Sequence, residues 1–226
     1  MMKNISIIVP VYNEELSINS LYNQIKNVVE TSFENYEIIF IDDGSSDKSY
    51  NIIKDLVKLD NNVIAIQMSR NYGKSDALNE GIKIVKYDFV ATLDADLQDD
   101  PNELVNLISK LDEGWDCVSG WKKDRHDPIS KTIPSFFFNK IVNILSGLNL
   151  HDLNCGIKVY KKNAIKSLSL YGGLHRFIPL LLINNGYKVT EKIVKHRRRE
   201  YGKTKYGNSR FFHGVFDFLT IFFLKK

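Results

Sequence analysis

Two carboxylates separated by one residue follow an apolar run near the middle of the chain. Residues 93–98 read Leu-Asp-Ala-Asp-Leu-Gln, which places acids at Asp94 and Asp96 and an amide at Gln98. Carboxylate and amide oxygens suit a hard divalent cation such as Mg²⁺ or Mn²⁺. Such an ion could bridge a diphosphate and neutralise the charge that develops as it leaves. A solvated acidic loop before a helix explains the triplet equally well.

A second acidic cluster begins at Asp42 and also follows an apolar run. Asp42 and Asp43 could accept hydrogen bonds from a base N–H or a ribose hydroxyl, Gly44 permits a tight turn, and Asp47 could cap the next helix. A turn with an N-cap is the plainer interpretation. The stretch 10–14 adds an aromatic ring and a carboxylate after the first apolar run.

Short apolar runs alternate with longer amphipathic runs over the first 120 residues. They predict strands at 5–11, 36–41, 63–68, 89–93 and 116–120, and helices at 16–30, 47–59, 75–85 and 101–111. This alternation predicts an α/β fold with a mostly parallel sheet flanked by helices. Ligands of such sheets bind at the carboxyl ends of the strands. The loops at 10–15, 42–47, 69–74 and 94–101 are therefore expected to surround one site of nucleotide-binding type.

The alternation weakens beyond residue 120. Strands are predicted at 156–160 and 187–194, and helices at 131–150, 175–184 and 208–224. In the last helix a narrow polar stripe interrupts an apolar surface; it consists of Arg210, His213, Asp217 and Thr220. Such a helix either packs against the core or lies in a lipid interface, and it is too short to span a bilayer. We favour the interface for 208–224 and the core for 131–150.

Composition and charge narrow the class of protein. The 226 residues are 43% hydrophobic and 26% charged, which fits one globular domain. The two cysteines, Cys117 and Cys155, form no CxxC pair, so neither a zinc site nor a disulfide framework is expected, and a reducing compartment fits. The first residues show no signal-peptide pattern, and no run reaches the ~20 apolar residues of a membrane span.

Positive charge is concentrated in the last part of the chain. Residues 192–210 contain eight Lys or Arg and one acid, Glu200, whereas the whole chain has a net charge of only +4. The remainder is therefore slightly acidic. This basic run suggests an anionic partner, which could be a phosphate, an acidic lipid or a nucleic acid.

Taken together and in order, these motifs resemble the family 2 glycosyltransferases, whose fold is the GT-A nucleotide-sugar domain. The resemblance extends over nearly the whole chain and is strongest to the branch of dolichyl-phosphate mannose synthase and the bacterial polyprenyl-phosphate glycosyltransferases. The matching stretches are 9–14 (VPVYNE), 42–47 (DDGSSD), 71–74 (NYGK), 94–101 (DADLQDDP), 154–158 (NCGIK), 175–179 (HRFIP) and 196–206 (HRRREYGKTKY).

The resemblance implies roles for particular residues. On the donor side, with the nucleoside, it places Pro10, Tyr12, Glu14, Asp42, Asp43 and Lys74. It places Asp94 near the ribose or a divalent metal, Mg²⁺ or Mn²⁺, and makes Asp96 and Gln98 metal ligands, with Asp96 also counted as catalytic. Family members invert the anomeric carbon by in-line displacement.

Two motifs of processive relatives, QxxRW and a Glu-Asp pair, do not occur in the chain. A hydroxyl acceptor usually needs a base, whereas a lipid phosphate is already an anion near pH 7 and needs cationic positioning instead. For the acceptor phosphate the resemblance points to Arg125, Lys131 and Ser135. For the diphosphate it points to Arg197 and Lys205. Trp121 and Lys131 stand where relatives often have arginine.

The sequence thus predicts an inverting transferase that moves a sugar from a nucleotide-sugar to a polyprenyl phosphate. A UDP-sugar is the preferred donor, with GDP-mannose possible, and the acceptor is undecaprenyl or dolichyl phosphate. We expect a GT-A domain at 1–207, with a nucleotide-sugar half at 1–120 and an acceptor half at 121–207, followed by an interfacial helix at 208–226. The expected location is the cytoplasmic face of a membrane, peripheral or anchored by segments absent from this chain. A homo-oligomer is possible, and no nucleic-acid partner is expected.

Three alternatives stay open from the sequence. The first is a soluble family member that glycosylates a glycan or protein hydroxyl. The second is a nucleotidyltransferase, although the loop at 10–15 lacks the glycine-rich phosphate loop expected there. The third is a non-catalytic module that binds membranes or nucleic acid through the basic run, which would leave the donor and metal motifs without a purpose.

Overall fold

The structure, a computed structural model, describes residues 3–123, 150–198, 217, 220 and 221. Within these residues, seven strands form one sheet in the order β3-β2-β1-β4-β6-β5-β7. The strands are β1 (Lys3–Val11), β2 (Phe33–Asp42), β3 (Val63–Gln67), β4 (Phe89–Thr92), β5 (Cys117–Trp121), β6 (Lys158–Lys161) and β7 (Val189–Ile193). The helices are α1 (Ile18–Ser32), α2 (Ser49–Leu59), α3 (Lys74–Ile84), α4 (Glu103–Leu111), α5 (Lys162–Lys166), a 3₁₀ helix (Leu174–Phe177) and α6 (Ile178–Asn184).

The prediction of a mostly parallel sheet is confirmed. Strands β1 to β4 pair in parallel, and β5 pairs in parallel with β7. Strand β6 runs antiparallel between β4 and β5, which the sequence did not reveal. A strand buried on both faces shows the same apolar run in either direction, so its pattern predicts a strand without its orientation.

Alternation along the central strands supplies apolar side chains to both faces of the sheet. Ile5 and Ile7 of β1 belong to a core cluster with α1, α2 and α4, whereas Ile8 belongs to a second cluster with α3, α5 and α6. Helix α3 lies so near β1 that a Cβ added at Gly81 would come within 2.7 Å of Ile8 Cγ2. This close packing brings the beginning of α3 to the carboxyl end of β1.

Several predicted boundaries change in the structure. The helix predicted at 175–184 is a 3₁₀ turn followed by α6. Pro179 lies in the first turn of α6, where the missing N–H of proline costs no helical hydrogen bond. The first helix begins at Ile18 rather than at residue 16, and α5 was not predicted. The helix predicted at 131–150 lies outside the described residues except for Leu150. The helix predicted at 208–224 is described only at Asp217, Thr220 and Ile221, which are helical.

Among the described residues, no helix combines the length and the apolar character needed to cross a bilayer.

Candidate functional site

The loops after β1 and β2 are joined by reciprocal hydrogen bonds. The Asn13 N–H donates to Ser45 Oγ at 2.8 Å, and the Ser46 N–H donates to Asn13 Oδ1 at 2.7 Å. The Glu14 N–H donates to Ser49 Oγ at 2.8 Å. Asn13 has a positive φ of 52°, a conformation that asparagine tolerates better than most residues. The two motifs predicted on the donor side therefore form one rim at the carboxyl end of the sheet.

The two aspartates at the carboxyl end of β2, Asp42 and Asp43, have different surroundings. Asp43 accepts hydrogen bonds from the backbone N–H groups of Tyr72 at 2.8 Å and Gly73 at 2.9 Å, so it holds the loop between β3 and α3. Burial raises the pKa of the Asp43 carboxyl, and these two N–H groups oppose that rise. Asp42 is fully buried, and its Oδ1 has no hydrogen-bond partner among the described residues. Its chemistry suits a donor N–H or hydroxyl of a ligand.

The predicted donor-side residues at 10–14 lie on the same rim. Tyr12 is 36% exposed, while Pro10 and Glu14 are half-buried. An aromatic ring at the edge of a polar cleft can stack on a base, which agrees with the predicted role. The structure thus brings these residues to Asp42, but their contacts with a nucleoside stay a prediction.

The stretch 94–100, here called the acidic loop, follows β4 and carries four aspartates. Three of these carboxylates are paired with cations from three other parts of the fold. The pairs are Asp94 with Lys74 of α3, Asp99 with Lys122 after β5 at 2.8 Å, and Asp100 with Arg197 after β7 at 2.7 Å. These cations offset the repulsion among carboxylates that are close in sequence.

Charge around Asp94 keeps it ionised. Burial by itself raises the pKa of the Asp94 carboxyl, but Lys74, together with Lys122 and Lys158, holds that pKa well below its usual range. Lys158 is 3% exposed, and its ammonium donates to the Cys155 carbonyl. Burial lowers the pKa of Lys158. A carboxylate that is already ionised is ready to bind a cation without losing a proton.

Burial alternates along the first part of the acidic loop. Asp94, Asp96 and Gln98 are half-buried, whereas Ala95 and Leu97 are 5% and 1% exposed. The Gln98 N–H donates to Asp96 Oδ1 at 3.2 Å, and Leu97 has a φ of 64°. Such a backbone costs about 1–3 kcal/mol, which burial of the leucine side chain can offset. The three predicted metal ligands are thus the partly accessible positions of the turn, while the residues between them are buried.

Gly156 lies beside two carboxylates of this loop. A Cβ at this position would come within 2.5 Å of Asp99 Oδ2 and 2.6 Å of Asp94 Oδ2. The Gly156 carbonyl accepts a hydrogen bond from Thr92 Oγ1 at 3.1 Å, which ties it to the end of β4. Gly156 lies just before β6, and a residue with a Cβ there would collide with the acidic loop. Only glycine therefore fits at this position.

Sequence reasoning assigned no role to Lys122, Lys158, Asp99 or Gly156. A signal was present for Lys158, because a lysine inside an otherwise apolar strand is rarely buried without a purpose. No comparable signal marks Lys122. Its pairing with Asp99 depends on the order of β4, β6 and β5 in the sheet, which local sequence does not show.

The cations predicted for the phosphates are described only in part. Arg125, Lys131, Ser135 and Lys205 lie outside the described residues. Arg197 is described, and its guanidinium contacts Asp100 and Gln24 Oε1, the latter at 2.6 Å. In the half predicted to bind the acceptor, the Trp121 ring stacks on His151 with centroids 3.9 Å apart.

The donor atoms of the acidic loop fit a divalent metal ion. No three His, Cys, Asp or Glu side chains within the described ranges are grouped as a preformed metal site. Mg²⁺ and similar ions are commonly held by one or two carboxylates together with substrate phosphates. Asp94, Asp96 and Gln98 supply two carboxylates and an amide oxygen, so they suit an ion that arrives with a diphosphate.

The fold and this site define an α/β protein whose polar, carboxylate-rich loops lie together at the carboxyl end of a mostly parallel sheet. Residues 6–169 match the family model described as "Glycosyl transferase family 2", and the chain belongs to that family. The predictions of the family and of a glycosyltransferase are thereby confirmed.

Two curated relatives fall in the expected polyprenyl-phosphate branch. The chain is 36% identical over 217 residues to undecaprenyl-phosphate 4-deoxy-4-formamido-L-arabinose transferase of Shewanella sediminis, with 96% of this chain and 66% of the relative covered. It is 33% identical over 227 residues to dodecaprenyl-phosphate galacturonate synthase of Rhizobium johnstonii, with 98% and 67% covered. The chain spans about two thirds of the length of these relatives.

Solved glycosyltransferase structures share the fold. Mannosyl-3-phosphoglycerate synthase from Rubrobacter xylanophilus superposes with a TM-score of 0.73 at 16% identity, covering 96% of this chain and 73% of that one. Glucosyl-3-phosphoglycerate synthase from Mycobacterium tuberculosis with UDP gives 0.72 at 18%, covering 99% and 82%. Its complex with Mn²⁺, UDP and phosphoglyceric acid gives 0.66 at 21%, covering 87% and 72%. At these identities the likeness shows the fold alone.

Proposed function

We propose that the chain transfers a sugar from a nucleotide-sugar to a polyprenyl phosphate, with inversion at the anomeric carbon. The observation that carries this proposal is that two relatives, aligned over nearly the whole chain, have different sugars in their names but the same class of acceptor. One name contains 4-deoxy-4-formamido-L-arabinose and undecaprenyl phosphate, and the other contains galacturonate and dodecaprenyl phosphate. The shared part of these names is therefore the best guide to the acceptor.

The reaction needs positioning and charge more than proton transfer. An oxygen of the acceptor phosphate attacks the anomeric carbon, and the bond from that carbon to the nucleoside diphosphate breaks. The phosphate is already an anion, so no base has to remove a proton from it. Holding the two anions in line is the main task of the protein, and cationic side chains perform it.

The described residues divide this task between two sides of the cleft. On the donor side, Asp42 and Tyr12 would hold the nucleoside, and Asp43 keeps the adjoining loop in place. Asp94, Asp96 and Gln98 would hold Mg²⁺ or Mn²⁺. A bound ion of this kind would neutralise charge on the departing diphosphate. The assignment of Arg125, Lys131 and Ser135 to the acceptor phosphate rests on the family resemblance.

A UDP-sugar is our preferred donor, and the complexes of a structural neighbour with UDP and Mn²⁺ are compatible with it. We place the reaction at the cytoplasmic face of a membrane, where exposed cations of the basic run at 192–210, such as Lys195 and Arg198, would face anionic lipid. Each Lys or Arg near such a surface contributes about 1 kcal/mol to binding.

A transfer assay tests the proposal. The chain would be incubated with radiolabelled UDP-sugars or GDP-mannose, Mn²⁺ or Mg²⁺, and a short-chain polyprenyl phosphate in detergent micelles. We expect a mild-acid-labile lipid-linked product that disappears when EDTA is added. Metal-dependent transfer to a sugar or peptide, with no lipid product, would instead support the enzyme that glycosylates a hydroxyl.

A further inference from the structure

A short segment after β7 runs beside the acidic loop and is bonded to it through the backbone. Asp99 and His196 form an isolated antiparallel bridge. The Arg197 N–H donates to the Gln98 carbonyl at 2.9 Å, and the Gln98 side-chain amide donates back to the Arg197 carbonyl at 3.4 Å. One of the three predicted metal ligands is therefore held directly by the residue that follows His196.

The Arg197 side chain adds two further contacts to this backbone pairing. Its guanidinium bonds to Asp100 Oδ2 at 2.7 Å and to Gln24 Oε1 at 2.6 Å. Asp100 is 8% exposed, and its other oxygen accepts the Asn102 N–H at 3.0 Å at the beginning of α4. A planar guanidinium that bridges two acceptors fixes their relative position better than a lysine could. Arg197 thus ties the acidic loop to α1 and α4 together.

Arg197 lines a groove between α1 and α4. The groove has a volume of about 340 Å³ and is also lined by Asn27, Thr31 and Asn102. A side chain committed to Asp100 and Gln24 acts on the reaction through the loop that it holds.

We propose that Arg197 is a positioning residue that fixes the acidic loop in the conformation that presents Asp96 and Gln98 to the metal ion. This role differs from the diphosphate contact that the family resemblance implies for Arg197. The inference rests on the proposed metal-dependent transfer, but it concerns the shape of the loop before any substrate binds. It can therefore fail, or hold, independently of the identity of the acceptor.

Hydrogen–deuterium exchange of the full chain without metal or nucleotide is the decisive measurement. In Arg197→Ala, we expect the amides of residues 96–100 to exchange at least about tenfold faster, while those of β1 and β4 keep their rates. Arg197→Lys should give an intermediate rate because lysine lacks the two-pronged geometry. Arg198→Ala is the matched control: it removes a neighbouring exposed arginine and should leave exchange of 96–100 unchanged.

Binding measurements separate positioning from contact with the diphosphate. Mn²⁺ affinity would be followed by electron paramagnetic resonance with UDP or GDP present, and nucleotide affinity by calorimetry in EDTA. We expect Arg197→Ala to weaken Mn²⁺ binding by about 10-fold or more and to leave nucleotide affinity in EDTA unchanged. Wild-type exchange in the loop, or a loss confined to nucleotide affinity in EDTA, would overturn the proposal.

A further variant protects the test against a failure to fold. Asp100→Asn keeps an oxygen for the Asn102 N–H but removes the charge that holds the guanidinium. If Arg197→Ala does not fold, Arg197→Lys and Asp100→Asn decide, and both should loosen the loop. Loop exchange at the wild-type rate in both variants would count against the proposal. Failure of lipid transfer in the wild-type chain would refute the proposed function without changing the exchange result.

Discussion

The Lys74 ammonium of α3 lies against the Asp94 carboxylate of the acidic loop. The first acid predicted for the metal ion is therefore paired with the first residue of α3, which directly follows the loop that Asp43 holds in place. This pairing keeps Asp94 ionised, and it also places a positive charge where a metal ion would compete for the same oxygens. Lys74 therefore favours metal binding at low pH, because it keeps Asp94 ionised. At higher pH it opposes metal binding, because it competes for the same carboxylate oxygens.

Replacement of Lys74 by methionine should change the pH dependence of Mn²⁺ binding. Without the ammonium, the pKa of Asp94 rises from its depressed value because burial is opposed only by Lys122 and Lys158, so the acid limb of Mn²⁺ binding moves to higher pH. Near pH 8 Asp94 is ionised in both proteins, and binding to the variant should equal or exceed that to the wild type because the competing cation is gone. Mn²⁺ titrations by paramagnetic resonance between pH 4 and pH 8, at about 0.1 M salt, measure both the acid limb and the affinity near pH 8.

Lys83→Met is the control for this experiment. It removes one positive charge from the same helix, where Lys83 pairs with Glu80 on the exposed surface. The wild-type pH profile is expected to persist in this variant. An identical shift in both variants would mean that overall charge, rather than the contact with Asp94, sets the acid limb.

Asp96→Ala should abolish metal-dependent transfer and leave the fold intact. The side chain is half-buried in a loop, and the loop conformation also depends on buried Leu97 and on the ion pairs on either side. Loss of a metal ligand should reduce kcat by about 100-fold or more, because the ion contributes several kcal/mol to charge stabilisation. Transfer assays with thermal melting as the folding check measure both effects. If the variant is as active as the wild type, with or without EDTA, Asp96 is not a ligand of a required metal ion.

Gly156→Ala should damage the site more than the fold. The new Cβ would crowd Asp94 and Asp99, which are held by Lys74 and Lys122 and cannot move without weakening those pairs. We expect Mn²⁺ affinity to fall about tenfold. Mn²⁺ titration and chemical denaturation of the same preparation give the two quantities.

Gly81→Ala provides the opposite pattern. Its Cβ would press on Ile8 and Ile41 in the core, so the free energy of unfolding should fall by about 1–3 kcal/mol with little change in metal affinity. If Gly156→Ala instead lost stability and kept its metal affinity, the close approach of Gly156 to the carboxylates would be structural only.

Arg125→Ala tests the acceptor side at a residue that lies outside the described ranges. If Arg125 binds the acceptor phosphate, the variant should raise the KM for polyprenyl phosphate by about 10-fold or more and leave nucleotide-sugar binding unchanged. Steady-state transfer with each substrate varied in turn separates the two effects. Weaker nucleotide binding with normal use of the acceptor would reverse the assignment of the two phosphate sites.

Local patterns predicted most of the first 120 residues. Every strand from β1 to β5 was found within a few residues of its predicted place, because apolar runs bounded by polar loops mark buried strands. The loops at the carboxyl ends of β1, β2 and β4 were identified for the same reason. The error at 175–184 arose because periodicity does not separate a 3₁₀ turn from the α-helix that follows it.

The sequence by itself determined the class of fold, the family and the motifs that surround the site, since each depends on short stretches with a fixed order. Only the tertiary structure decided which cation faces which carboxylate. Lys122 reaches Asp99, and Arg197 reaches Asp100, because β6 lies between β4 and β5 and the segment after β7 runs beside the acidic loop. Ion pairs between residues distant in the chain follow from strand order and loop packing, and no local period encodes either.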